Sequence, residues 1–125
     1  MMKWVIAAGL VLTAPFSASA QDAAAGKELF KKLTCSTCHQ VGAEAKNLAG
    51  PQLNCVVGRA AGSVEGYTYS AGLKGAGLTW DEATLDKWIT NPKALVAGTK
   101  MIFNRKTEAA DRANLIAYLK TECPG

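Results

Sequence analysis

The residues most able to do chemistry lie together in "LTCSTCHQVG", Leu33 to Gly42. Cys35 and Cys38 stand three positions apart, and His39 follows directly. Two thiols and an imidazole at this spacing suit a zinc site, a thiol–disulfide exchange pair or covalent attachment of haem.

The rest of the chain discriminates among them. A structural zinc site takes four ligands, usually as two paired half-sites. The remaining cysteines, Cys55 and Cys123, are isolated from each other and from the motif. A thioredoxin-like pair sits beside a βαβ pattern, and no alternating strand pattern is visible. C-x-x-C-H is also the haem c attachment sequence: two thiols add across the two vinyl groups of one porphyrin, and the next residue falls under the iron. His39 then becomes the proximal ligand.

The export signal agrees with haem. Lys3, an apolar run from Trp4 to Phe16, and Ala18-Ser19-Ala20 before Gln21 read as a cleavable signal peptide over residues 1–20. The apolar run is short of the ~20 residues a membrane span needs. Removing residues 1–20 leaves one domain, 21–125. Lys3 leaves with them, so thirteen basic residues face ten acidic ones, a net +3. That mild, dispersed charge excludes the basic stripe of a nucleic-acid binder. The expected location is the periplasm, where disulfides persist.

Cleavage also removes Met1 and Met2. The mature chain then holds one histidine, His39, and one methionine, Met101. Electron carriers fill both axial positions of haem iron, and His/Met is a carrier's ligand pair. Met101 is therefore the expected distal ligand; the alternatives are lysine or an open site that binds small ligands.

Helices must position these groups. Gly26, Leu29, Phe30 and Leu33 repeat at helical spacing, with Asp22 as cap. Residues 42–78 are rich in glycine and turn formers and read as loop, with a short helix near Tyr69–Lys74. Thr79 and Glu82 form a capping-box pattern; Leu85, Trp88 and Ile89 share a helical face, and Asn91-Pro92 stops that helix. "KALVAGTKMIFN" reads as loop. A last helix carries Leu115, Ile116 and Leu119, with Thr107 as cap and Glu108–Arg112 as an i, i+4 pair. The fold class is all-α, and its long loops call for an internal scaffold, a bound cofactor or, as in other small irregular domains, disulfides.

Taken in order, "GKELF", "CSTCH", "GPQLNCVVGR", "GYTYSAGLK", "GLTW", "NPKALVAGTKMIF" and "LIAYLK" make the chain resemble the class I cytochromes c, over Gly26 to about Glu122. It is most similar to the small bacterial proteins related to mitochondrial cytochrome c. The resemblance implies the monohaem fold, in which the first and last helices cross through Gly26, Phe30, Leu115 and Tyr118. It implies one covalent haem c, with Cys35 and Cys38 as thioether residues and His39 and Met101 as iron ligands. The Pro51 carbonyl would accept the His39 ring N–H. Arg59, Tyr69 and Trp80 would bind a haem propionate, with Ser70 and Thr99 as further candidates for the other. Because the "GPQLNCVVGR" loop lies near the last helix in this family, Cys55 and Cys123 are candidates for a disulfide, with two free buried thiols as the alternative.

The implied function is a monomeric periplasmic one-electron carrier, with no catalytic residues. It would take electrons from a quinol–cytochrome c oxidoreductase or dehydrogenase and pass them to a terminal oxidase, reductase or photosynthetic reaction centre. Contact with the membrane would run only through such partners, steered by Lys32, Lys46, Lys93, Lys100 and Lys106. The alternative is a haem enzyme or gas sensor with a labile distal site. Two departures from the family bear on that choice. Ala97 precedes Gly98 where the family carries a proline nearby, which loosens the methionine loop and favours Lys93 or Lys100 displacing Met101 in alkali. Leu73 replaces an asparagine that in mitochondrial members lies near a buried water.

Overall fold

The structure, a computed structural model, describes residues 21–124 and Gly9. The expected signal peptide lies outside the described residues, Gly9 apart. The described residues are helical, with one isolated antiparallel bridge, Ala60 to Thr79. None of their helices is long and apolar enough to cross a membrane.

Helix α1 (Ala23–Lys32) starts where expected: Asp22 caps it by accepting the Ala25 N–H at 3.1 Å. Its backbone meets the last helix at Gly26. A Cβ there would lie 2.7 Å from Tyr118 Cβ, so only glycine permits the approach. Phe30 packs its ring 5.7 Å from that of Tyr118. The Asp22 N–H also donates to Asn114 Oδ1 at 2.9 Å, pinning the start of α1 to the last helix.

After Leu33 the chain turns through Thr34, whose φ of 63° is left-handed and unusual for a β-branched residue. That turn starts α2 (Cys35–Cys38), one turn that holds both thiols. The looped middle is interrupted by α3 (Ala71–Lys74), capped by Ser70 Oγ on the Leu73 N–H at 3.2 Å.

Helix α4 (Glu82–Thr90) begins two residues later than the Thr79–Glu82 pattern predicts. Thr79 is held in the bridge with Ala60, so Asp81 caps instead, accepting the Thr84 N–H at 2.7 Å. Pro92 ends α4 but does not open a loop. With no N–H to satisfy, it sits in the first turn of α5 (Pro92–Leu95), capped by Asn91.

The last helix, α6 (Ala109–Thr121), is capped by position at Glu108 rather than by Thr107. Thr107 instead accepts from Arg112 Nη1 through both its carbonyl and its hydroxyl. Nor does Arg112 pair with the Glu108 side chain. Its Nε reaches Asp86 Oδ1 at 2.7 Å, tying α6 to α4. The core comprises Leu115, Ile116, Tyr118 and Leu119 of α6, Phe30 of α1, Leu85, Trp88 and Ile89 of α4, and Val56, Leu73, Trp80 and Val96 from α3 and the loops.

Candidate haem-binding site

This core is not closed. A mainly apolar cavity of about 600 Å³ opens between α2, the 49–59 loop, α3, α4 and the 99–103 segment. Every residue expected to bind haem lines it: Cys35, Cys38, His39, Pro51, Arg59, Tyr69, Trp80, Thr99 and Met101, with Ser70 beside them.

His39 follows α2 in extended conformation, and its Nδ1 lies 2.7 Å from the Pro51 carbonyl. A carbonyl only accepts, so Nδ1 carries the hydrogen and Nε2 keeps its lone pair for a metal. Burial pulls the His39 pKa below its ordinary value; the Pro51 bond opposes this and the Arg59 charge adds to it. The ring is thus neutral at pH 7, as a ligand must be. Gly50 packs flat against it: a Cβ there would sit 2.7 Å from Nδ1. Burial is also the main cause of the raised Cys35 pKa, so that thiol is not an activated nucleophile.

Met101 occupies another part of the cavity wall. Three bonds hold its loop. The Met101 N–H donates to Thr99 Oγ1 at 3.3 Å, Lys100 Nζ donates to the Thr68 carbonyl at 2.6 Å, and Trp88 Nε1–H donates to Met101 Sδ at 3.2 Å. Lys100 also lies 5.7 Å from the Tyr67 ring centroid, so this lysine clasps the loop rather than standing free. Trp88 and Tyr67 belong to the site but were not singled out for it from sequence. In the sequence, the helical face that Trp88 shares with Leu85 and Ile89 marks it only as a core residue.

Arg59 supplies the cationic end. Its Nη1 and Nη2 donate to the Asn54 and Gln52 carbonyls at 2.9 and 3.0 Å. Its Nε is buried without a partner. Burial lowers the Arg59 pKa, a cost that an anion in the cavity would offset. Tyr69 Oη accepts the Val64 N–H at 3.0 Å and keeps its own hydrogen to donate. Ser70 Oγ and Thr99 Oγ1 accept the Leu73 and Met101 N–H groups and, like Tyr69, keep a hydroxyl hydrogen to donate.

The residues therefore fit haem c: an apolar slot, two adjacent thiols, a neutral imidazole, a thioether, and an orphaned guanidinium donor for a carboxylate. Cys55 and Cys123 are joined as a disulfide, which fastens the 49–59 loop to the end of α6; the Cys55 N–H adds a 2.9 Å bond to the Glu122 carbonyl. Among the described residues, no group of three His, Cys, Asp or Glu side chains is placed to hold a metal ion.

Comparison with known proteins gives the same picture. The family model "Cytochrome c" matches residues 23–122. The chain is 50% identical to cytochrome c2 of Rhodomicrobium vannielii, over 94% of this chain and 92% of that one. It is 46% identical to cytochrome c-554 of Methylosinus trichosporium, over 95% and 89%. Among solved structures, cytochrome cH from Methylobacterium extorquens superposes with a TM-score of 0.73 at 46% identity, covering 80% of this chain and 98% of that one.

Proposed function

Since the chain belongs to the cytochrome c family of electron carriers, which hold one covalently attached haem c, we propose that it is a periplasmic carrier with His39 and Met101 as the iron's axial ligands. The observation that carries this is the placement of His39 and Met101 on one apolar cavity, with His39 Nδ1 committed to Pro51. When bound, haem supplies the one-electron iron couple.

The chain's own residues do the rest. Cys35 and Cys38 would hold the porphyrin by thioether bonds. Pro51 fixes the His39 tautomer and strengthens its donation. Arg59 Nε and Tyr69 Oη would donate to a propionate, with Trp80 beside them. The apolar walls exclude water, which limits reorganisation as charge changes. With His39 and Met101 both holding the iron, the chain would leave no position there for a substrate, and the haem would supply electron transfer alone.

Lys32, Lys46, Lys93 and Lys106 lie free to steer an acidic partner, a quinol–cytochrome c oxidoreductase or dehydrogenase on one side and an oxidase, reductase or reaction centre on the other. The exposed Ile102 next to Met101 gives an apolar centre for such contacts. Encounter rates should fall with salt, modestly for a net charge of about +3.

Intact mass tests the reading. Expressed in a host that exports and matures c-type cytochromes, the chain should begin at Gln21, and haem should remain attached after denaturation. An uncleaved chain contradicts the location, and haem lost on denaturation contradicts the thioether assignment.

A further inference from the structure

The four cysteines divide by chemistry. Once haem is attached, Cys35 and Cys38 are thioethers and hold no thiol to exchange. Cys55 and Cys123 form a disulfide, and both residues are exposed. Exposed disulfides belong to the labile class, open to attack by a thiolate. Cys55 also has a φ of 53°, a left-handed conformation that is costly for a residue with a Cβ. The bridge and the 2.9 Å bond from the Cys55 N–H to the Glu122 carbonyl hold it there. Opening the bridge removes the covalent half of that hold.

Residues 50–54 are sewn to the 38–42 segment on one side. The Gly50 N–H donates to the Cys38 carbonyl at 2.9 Å and the Leu53 N–H to the Gln40 carbonyl at 3.0 Å. The Asn54 side chain pairs both ways with the Gly42 backbone. None of these bonds involves the bridge, so Pro51 keeps its place beside His39 without it. The other side of the loop is different. The Asn54 carbonyl, next to Cys55, accepts Arg59 Nη1 at 2.9 Å. Arg59 lines the cavity, with its Nε unpartnered. A short path thus runs from the bridge through Cys55 and Asn54 to a cation at the haem site. When the Asn54 carbonyl swings away, the guanidinium turns toward water, and its charge supports ferrous iron less.

We propose that Cys55–Cys123 is a second redox site: a dithiol reduces it in the folded molecule, and its reduction lowers the haem potential through Arg59. The first thiolate of the dithiol attacks one bridge sulfur, which breaks the S–S bond and forms a mixed disulfide. Its second thiol closes on the first and frees the remaining cysteine. Two electrons and two protons pass to the bridge, and the dithiol leaves as a disulfide. Coupling is reciprocal, so the bridge is easier to reduce when the haem is ferric. This rests on the haem binding proposed above.

The test treats the haem protein, its iron already ferrous, with dithiothreitol in native buffer. Free thiols are trapped by alkylation and counted by intact mass, which also shows whether haem is attached. The expected result is two alkylated thiols, at a rate that follows the dithiothreitol concentration and ignores mild denaturant. Redox titration of the alkylated protein, and of the double variant Cys55→Ser, Cys123→Ser, should give a lower potential than the bridged protein. The ceiling is one net hydrogen bond, a roughly fivefold fall in the equilibrium constant for haem reduction, or about 40 mV at 59 mV per tenfold. Bridge reduction that proceeds only at the rate of global unfolding overturns the proposal. An unchanged or higher potential in the double variant overturns it too, because a shift in the alkylated protein alone would follow from the adduct. A mass without haem overturns the haem assignment itself, and the proposal with it.

Discussion

The Pro51 carbonyl oxygen stands 2.7 Å from His39 Nδ1, on a ring against which Gly50 packs. One backbone segment thus sets the tautomer of the His39 imidazole and confines its ring. The elements behind it are α2, which ends at Cys38, and the 49–59 loop, which the Cys55–Cys123 disulfide fastens to the C-terminal end of α6.

Gly50→Ala should displace the His39 ring, because the added Cβ would lie 2.7 Å from Nδ1. Overpacking of this kind typically costs about 1–3 kcal/mol. Denaturant unfolding of the haem protein should show a lower midpoint with an unchanged slope. A wild-type midpoint would mean that the loop moves aside freely.

Much of the site was legible because its ligand types are scarce. One histidine and one methionine remain after residues 1–20, which singles out His39 and Met101, and the structure brings both to one cavity. Caps were harder to read. Thr79-x-x-Glu82 matched the capping pattern, but Thr79 was already held by Ala60 across the chain, a tertiary contact that local sequence does not display. Arg112 likewise chose Asp86 on another helix over its i−4 neighbour. Trp88 was placed in the core correctly, but a helical face does not show where an indole N–H points.

Replacing Cys55 and Cys123 together by alanine should destabilise the protein without loosening haem attachment. The bridged residues are 68 apart, and chain entropy then allows roughly 4 kcal/mol as a ceiling, since haem attachment also restricts the unfolded chain. Chemical unfolding measures the loss, and mass after denaturation checks that haem stays. Two alkylatable thiols in the denatured, unreduced wild type would contradict the bridge.

Arg59→Met removes the guanidinium with its unpartnered Nε and leaves the Gln52 and Asn54 carbonyls without their donors. Unsatisfied partners of this kind cost about 1–3 kcal/mol. Removing a buried positive charge beside the cavity should also favour the ferric state and lower the potential. Redox titration reads this directly, and an unchanged potential would place Arg59 outside the electrostatics of the site.

Asp81→Ala should lower the melting temperature at neutral pH by removing the cap of α4. The hydrogen bonds to Thr84 hold the Asp81 carboxyl below its ordinary value of 3.8. A folded-state pKa depressed in this way stabilises above the unfolded value and loses that contribution as pH falls through the folded one. The gap between wild type and variant should therefore be full above about pH 4 and close in stronger acid. A gap that persists unchanged into acid would assign the effect to something other than the carboxylate.

The central claim is that His39 and Met101 together fill both axial positions. A near-infrared spectrum of the oxidised haem protein, followed by exposure of the reduced form to carbon monoxide, tests it most directly. His39/Met101 ligation should give the weak Met–iron band in the oxidised protein and no ready carbon monoxide binding in the reduced one. Absence of that band together with rapid carbon monoxide binding would contradict it.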